Sequence, residues 1–291
     1  MFFMENNKLT KFSNAKLNLT LHVTGVKANG FHYLDSLVAF PEIGDVLTFK
    51  KSIKPSLTIK GPFADELNRS TGLDENTISR AINLMIGASQ GVEVTLTKNL
   101  PIAAGIGGGS SNAASTLLAL SKLFATPLPR LEEILSLGSD VPVCLSNKLQ
   151  RMRGVGEKIV NLLSPPTIWV LLANPRVSVQ TKKIFRSLQN RINSPLEEPC
   201  SFNKKSDLFE YLRRQRNDLQ DSTCNLYPVV RDLLEKIANT KDCELSRMSG
   251  SGATCFGLYP EKRMANQAVQ KLKKIYPNYW IRCAPLFLEH S

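Results

Sequence analysis

From Ala15 to Val23 apolar and polar residues alternate, with Ala15, Leu17, Leu19, Leu21 and Val23 set against Lys16, Asn18, Thr20 and His22. A period of two fits a strand with one face on a core, and Gly25 to Gly30 supplies a turn after it. Further strands are predicted at Val46–Lys50 and Ser56–Lys60. Between Asn76 and Ser89 the spacing becomes helical, with Ile78, Ala81, Ile82 and Met85 on one side. Val92, Val94 and Leu96 then alternate with Glu93, Thr95 and Thr97, predicting a strand over Gly91–Thr97. Helices are predicted over Ser111–Phe124, burying Ala114, Leu117, Leu118 and Leu120, and over Leu131–Leu137.

Beyond Pro165-Pro166 the continuous apolar run Ile168–Ala173 reads as a buried strand. Helical patterns follow at 181–189, 205–215 and 227–239, then a glycine turn at 249–252, a strand at Thr254–Tyr259 and an amphipathic helix over about 261–275. Strands mixed with helices without regular alternation predict an α+β architecture. A soft boundary near 164 divides an N-terminal domain, 1–163, from a C-terminal domain, 164–291, whose last helix is a candidate to pack back on the first.

Between strand and helix lies Pro101-Ile-Ala-Ala-Gly105-Ile-Gly107-Gly108-Gly109-Ser110-Ser111. Glycines so dense cost roughly 0.5–1 kcal/mol each inside a regular element, so they predict a loop. The helix after it presents unpaired N–H groups and a positive dipole end, which suits phosphate. Ser110 and Ser111 can cap that helix or donate hydroxyl bonds. No Gly-Lys-Ser/Thr follows, so this is not a Walker A loop, and the spacing is not the dinucleotide-binding one either.

Two polar positions join this loop as candidates. Lys16 shares a strand face with Asn18 and could meet an anion, though the pattern equally fits a solvated lysine. Asp140, in Leu137-Gly-Ser-Asp140-Val-Pro142, sits in a turn after a short helix, where an ordinary turn aspartate is as good a reading. If the two meet, the ammonium keeps the carboxylate ionised and fit to orient a hydroxyl. Met248-Ser-Gly250-Ser-Gly252-Ala253 offers small residues before an apolar strand, where backbone can approach closely.

The remaining composition mostly excludes. The 291 residues are 42% apolar and 21% charged, as in ordinary globular enzymes, and no apolar run reaches a membrane span. The first residues resemble neither a signal nor a transit peptide, so a cytoplasmic protein is expected. Six scattered cysteines without C-x-x-C, and three histidines, argue against a disulfide framework or a protein-held metal site. A net charge of +12 raises RNA binding as a rival of another class. Aromatics are not interleaved with the basic stretches, so no nucleic-acid partner is expected; the rival predicts steeply salt-dependent binding to single strands.

Together these segments resemble the superfamily of galacto-, homoserine, mevalonate and phosphomevalonate (GHMP) kinases, whose three motifs match in order at Lys16, Pro101–Ala114 and Met248–Ala253. The more specific matches are Ala15-Lys16-Leu-Asn18-Leu, Gly30-Phe31-His32-Tyr-Leu, Ser139-Asp140-Val-Pro142-Val, Gly154-Val-Gly-Glu157, Thr181-x-x-Ile-Phe185 and Arg216-Asn-Asp218-Leu. They are similar to the branch that phosphorylates the 2-hydroxyl of a cytidine-diphosphate methylerythritol in non-mevalonate isoprenoid synthesis. Another kinase of the superfamily is the nearest alternative.

The resemblance implies a two-domain fold with a cleft, ATP and Mg²⁺ as cofactors, and a small-molecule cytidine-diphosphate substrate. It also implies a monomer or weak homodimer. Lys16 and Asp140 match the catalytic pair. Asn76, Lys98, Pro101, Gly105, Gly107, Gly108, Gly109, Ser110 and Ser111 match ATP-binding positions, the first two at the adenine end. Asn18, Phe31, His32, Thr181 and Phe185 match substrate positions, with Phe31 and Phe185 sandwiching cytosine and His32 reading its edge. Gly250 and Gly252 match the structural glycine motif. Asn147–Arg153, Lys182 and Gln220 depart from the family pattern.

Overall fold

The computed structural model describes residues 2–5, 8–28, 30–70, 72, 75–86, 90–199 and 201–288. In chain order the strands are β1 (Phe2–Glu5), β2 (Lys8–Asn14), β3 (Leu17–Asn18), β4 (His22–Val26), β5 (His32–Ala39), β6 (Gly44–Ser52) and β7 (Ser56–Lys60). They continue as β8 (Gly91–Thr97), β9 (Gln150–Gly154), β10 (Lys158–Asn161), β11 (Ile168–Asn174), β12 (Leu245–Met248), β13 (Cys255–Tyr259) and β14 (Trp280–Leu286). The helices are α1 (Ala64–Ser70), α2 (Thr77–Ile86), α3 (Gly108–Phe124), α4 (Leu131–Leu137) and α5 (Thr181–Arg186). After them come α6 (Lys205–Arg214), α7 (Gln220–Leu226), α8 (Pro228–Ala238) and α9 (Lys262–Ile275). The architecture is α+β.

Two compact units share the chain, each built from three stretches. The first takes Met1–Ala15, Gly44–Ile102 and Gly107–Asn147; the second takes Lys16–Ile43, Ala103–Ile106 and Lys148–Ser291.

In the first unit five strands form a sheet in the order β1-β2-β6-β8-β7, antiparallel except for the β7–β8 pair. The alternation foreseen for β8 holds, and Val92, Val94 and Leu96 pack with Leu47, Phe49, Ile78, Ile82 and Leu120. Helix α2 begins where the Asn76 side chain accepts the Ile78 N–H at 2.9 Å, satisfying one of the donors a helix start leaves open. It ends at Ile86; residues 87–89, the tail of the predicted helix, lie outside the described residues.

The second unit holds two sheets. One runs β10-β9-β5-β3 with β4 also on β5; the other is antiparallel in the order β12-β13-β11-β14. Val230, Leu233 and Ile237 of α8 and Ala265, Ala268 and Leu272 of α9 cover the second sheet, so the last helix lies on strands of its own unit.

The predicted strand Ala15–Val23 is broken in two. β3 and β4 both pair with β5, but between them Leu21 turns to the 216–218 segment, donating to Arg216 O at 2.9 Å and accepting the Asp218 N–H at 2.8 Å. That exchange buries both faces, so Lys16, Asn18, Thr20 and His22 lie inside with their apolar neighbours. Among the described residues no helix is long and apolar enough to cross a membrane.

Candidate active site

In the second unit three sequence-distant motifs meet on one tetrapeptide, Ala103–Ile106. The Lys16 N–H donates to Ile106 O at 2.9 Å, and the Thr254 N–H donates to Ala104 O at 3.1 Å. The Ser249 hydroxyl donates to Gly105 O at 2.9 Å and accepts the Asn18 N–H at 3.1 Å. Gly105 has φ +73°, and a Cβ there would stand 2.5–2.9 Å from backbone atoms of Ser249 and Gly252. Only glycine fits such an approach. Gly250 and Gly252, at φ +56° and +86°, form the facing turn.

Two residues from outside these three motifs hold that turn. Asn217 donates through Nδ2 to Met248 O and Gly250 O at 2.8 and 2.9 Å. Gln220, one of the departures from the family pattern, accepts the Met248 N–H at 2.9 Å. Neither was singled out as a site residue; Asn217 lay within a matched motif, whereas Gln220 carried no signal beyond its departure.

Lys16 is only 4% exposed, which corrects the solvated-strand reading. Its ammonium donates to Asn18 Oδ1 at 2.9 Å, the Asn18 Nδ2 donates to Ser36 Oγ at 2.7 Å, and Ser36 donates to Thr20 O at 2.5 Å. This relay fixes the Asn18 amide and aims the lysine stem. Arg247 stands behind it, donating to the carbonyls of Leu19, Leu212 and Gln215. Burial lowers its pKa to about 10.

In the first unit the helix after the glycine loop starts three residues earlier than predicted. Gly107, at φ +61° and ψ +22°, is the N-cap, and Gly108, Gly109 and Ser110 form the first turn of α3. Glycine is tolerated there because that turn lies at the helix end, where its N–H groups point outward without intrahelical acceptors. Ser111 is buried and donates to Cys144 Sγ at 3.3 Å instead of capping the helix. Half-buried Ser110 lies beside the Asp140 turn: a Cβ on Gly138 would stand 3.8 Å from its Oγ. Asp140 itself is half-buried two residues on.

Pro101 is buried at the loop entrance. The Lys98 ammonium meets Asp45 at 2.5 Å; burial lowers its pKa, opposed by that carboxylate. Asn76 caps α2, and its neighbour Thr77 donates to Gly109 O at 3.0 Å, joining the starts of α2 and α3. Asp45 and Ser36 escaped the sequence reading, since nothing in the spacing marks a buried polar residue inside a strand; Asn112 lay within the matched Pro101–Ala114 motif with no role assigned to it.

The aromatic positions lie in the second unit. The His32 and Phe185 rings are 4.6 Å apart at 32°, while Phe31, the residue before the strand, is 60% exposed. His32 Nε2 is shielded from solvent without a hydrogen-bond partner, and its pKa is lowered by burial and then by the Arg191 charge. Such a nitrogen is neutral near pH 7 and open to a ligand. Thr181 Oγ1 lies 2.8 Å from Ser251 Oγ, tying the start of α5 to the glycine turn.

Comparison with known proteins identifies the family. The GHMP kinases N terminal domain matches residues 76–148, and the GHMP kinases C terminal domain matches residues 203–278. A 4-diphosphocytidyl-2-C-methyl-D-erythritol kinase of Cereibacter sphaeroides is 45% identical, covering 94% of this chain and 97% of its own. One from Paramagnetospirillum magneticum is 43% identical, covering 96% and 99%. A crystal structure of 4-(cytidine 5'-diphospho)-2C-methyl-D-erythritol kinase superposes with a TM-score of 0.78 at 27% identity, covering 96% of this chain and all of that one. Homoserine kinase from Cytophaga hutchinsonii, at TM-score 0.66 and 18% identity, shares the fold.

Proposed function

Because the chain belongs to the 4-diphosphocytidyl-2-C-methyl-D-erythritol kinases of the GHMP kinase family, we propose that it transfers the γ-phosphate of ATP to the 2-hydroxyl of 4-diphosphocytidyl-2-C-methyl-D-erythritol. The observation that carries the reading is the meeting of the Lys16 strand, the glycine loop and the 248–253 turn on Ala103–Ile106.

The N–H groups of the first turn of α3 and its dipole end grip the ATP phosphates, with Ser110 beside them and Asn76 toward the adenine. Lys16, steered by Asn18, stabilises charge on the transferring phosphoryl group. Asp140 orients the acceptor hydroxyl and takes its proton, which is all that a transfer governed by positioning and charge demands. Cytosine lies on Phe185 and Phe31, its polar edge toward His32 Nε2 and its diphosphate toward Thr181.

Mg²⁺ supplies further charge neutralisation when bound. It would be held through one or two carboxylates plus substrate phosphates. Asp140, in the turn that begins beside Ser110, would offer such a carboxylate. The reading includes a cytoplasmic enzyme, monomeric or weakly dimeric.

The test is ³¹P NMR of the chain with ATP, Mg²⁺ and the cytidine substrate, beside homoserine, mevalonate and galactose. A new phosphomonoester on the cytidine substrate alone is expected, and Asp140→Asn is expected to lower kcat by about 10²-fold or more. Turnover of another acceptor in its place, or near-normal kcat in Asp140→Asn, refutes the assignment.

A further inference from the structure

One buried carboxylate holds both flanks of the glycine-rich segment within the first unit. Asp45, the second residue of β6, is fully buried. Its Oδ1 accepts the main-chain N–H groups of Asn99 and Leu100 at 2.7 and 2.9 Å, immediately before Pro101. Its Oδ2 accepts the Lys98 ammonium at 2.5 Å and the Asn112 side-chain amide at 3.0 Å. The four donors come from the entry to the loop and from the second turn of the helix that leaves it.

The mounting is stiff. A Cβ on Gly44 would lie 2.2 Å from Ser13 O, so β6 starts in close contact with β2. The Lys98 ammonium lies against the start of α3, since a Cβ on Gly108 would stand 3.1 Å from its Nζ. Isolated inside, neither charge would be tolerated, and removing one partner strands the other. A purely structural pair would serve the element that carries it. Here the carboxylate spends its acceptors on the two sides of one loop.

We propose that Asp45 is a positioning residue for the phosphate loop. It sets the separation between segment 98–100 and the first turn of α3, and so the aim of the N–H groups of Gly108, Gly109 and Ser110. Lys98 belongs to the same anchor, its charge committed to Asp45 and not to adenine. The inference rests on the reading that those N–H groups grip ATP, and donors aimed at charge are sensitive to displacements of about 1 Å.

The test measures calorimetric ATP affinity, both KM values, kcat and melting curves for Asp45→Ala, Asp45→Asn and Asn112→Ala. Asp45→Ala is expected to weaken ATP binding about tenfold or more, since several bonds to both flanks are lost at once. Asp45→Asn keeps an oxygen for the Asn99 and Leu100 N–H groups and recovers part of that loss. Asn112→Ala retains the ion pair, folds cooperatively and raises the KM for ATP about fivefold, the equivalent of one hydrogen bond. The KM for the cytidine substrate stays within about twofold throughout, because an aimed loop affects only its own ligand.

If Asp45→Ala does not fold, the other two variants decide. Wild-type ATP affinity in Asn112→Ala, or a parallel rise of both KM values, overturns the anchor. An ATP-binding chain that loses affinity in Asn112→Ala but phosphorylates some other acceptor keeps the anchor and refutes only the proposed substrate.

Discussion

Replacing Gly105 with alanine places a methyl group where main chain already lies. The residue has φ +73°, and its new Cβ would meet Ser249 O at 2.5 Å, Gly252 O at 2.7 Å and Gly252 N at 2.9 Å. The left-handed conformation alone costs an L-residue roughly 1–2 kcal/mol. Relief of the contacts requires the 249–252 turn to retreat, and that turn is held by Ser249, by both bonds of Asn217 and by Gln220. Forced overpacking of this kind costs about 1–3 kcal/mol more. A loss of about 3–4 kcal/mol corresponds to a melting point lower by roughly 10 °C for a unit of this size. Gly30→Ala is the control, because Gly30 has φ +83° but nothing within 4 Å of its would-be Cβ. It bears only the conformational cost, about 1–2 kcal/mol. Calorimetric melts of both variants, with kcat beside them, separate the two contributions. Equal melting points would refute the claim that close backbone approach between the second and third motifs requires glycine at 105.

Other expectations follow from the second unit. His22 accepts the Arg216 N–H on Nε2 at 3.3 Å and bonds Ser194 O through Nδ1 at 3.0 Å, an arrangement that requires the neutral ring. Burial first, and then the Arg216 charge, lower its pKa below 6.5. The unfolded chain therefore takes up a proton that the folded one refuses, so stability is full above pH 7 and falls as pH drops through 6.5, by at most ~1.4 kcal/mol per unit. In denaturant titrations His22→Gln is expected to flatten that slope, and an unchanged slope counts against the assignment. Arg247→Lys is expected to cost about 2–3 kcal/mol, because one ammonium cannot serve carbonyls of Leu19, Leu212 and Gln215 that a guanidinium fork reaches together; a wild-type melting curve would contradict this. Phe185→Ala is expected to raise the KM for the cytidine substrate about tenfold while leaving that for ATP alone, as removal of a stacking surface does, and steady-state kinetics on both substrates checks it.

What the chain disclosed in advance, and what it withheld, follow one physical division. Elements with one wet face announced themselves: β8 alternates cleanly, and α2 and α9 show a single apolar stripe. The unpredicted segments include two buried on both sides with polar residues inside, although β2, which alternates over Lys8–Asn14, was unpredicted as well. β5 buries Asp35 and Ser36 along with Leu37, Val38 and Ala39, and β9 buries Gln150 and Arg151, so neither displays a period of two. Arg151 is tolerated there because Asp35 receives it bidentately at 2.9 and 2.8 Å and Glu198 accepts a further N–H at 2.5 Å. A pairing across 116 residues leaves no trace in local spacing. The site divides in the same way. Glycines at 105, 107, 250 and 252 were legible because a residue without a side chain is conspicuous wherever backbone must bend to positive φ or come close. Of their supports, Ser36 and Asp45 were not, since an isolated polar residue in a sequence looks solvated until its partner is known, while Asn112 and Asn217 lay within matched motifs without a role. The alternative of a solvated Lys16 failed for that reason: alternation identified the face it occupies, whereas the polar network that covers the face is assembled from Ser36 and Thr20. Glycine patterns thus locate where such a site is built, and the buried polar residues that aim it become visible only once the fold brings them together.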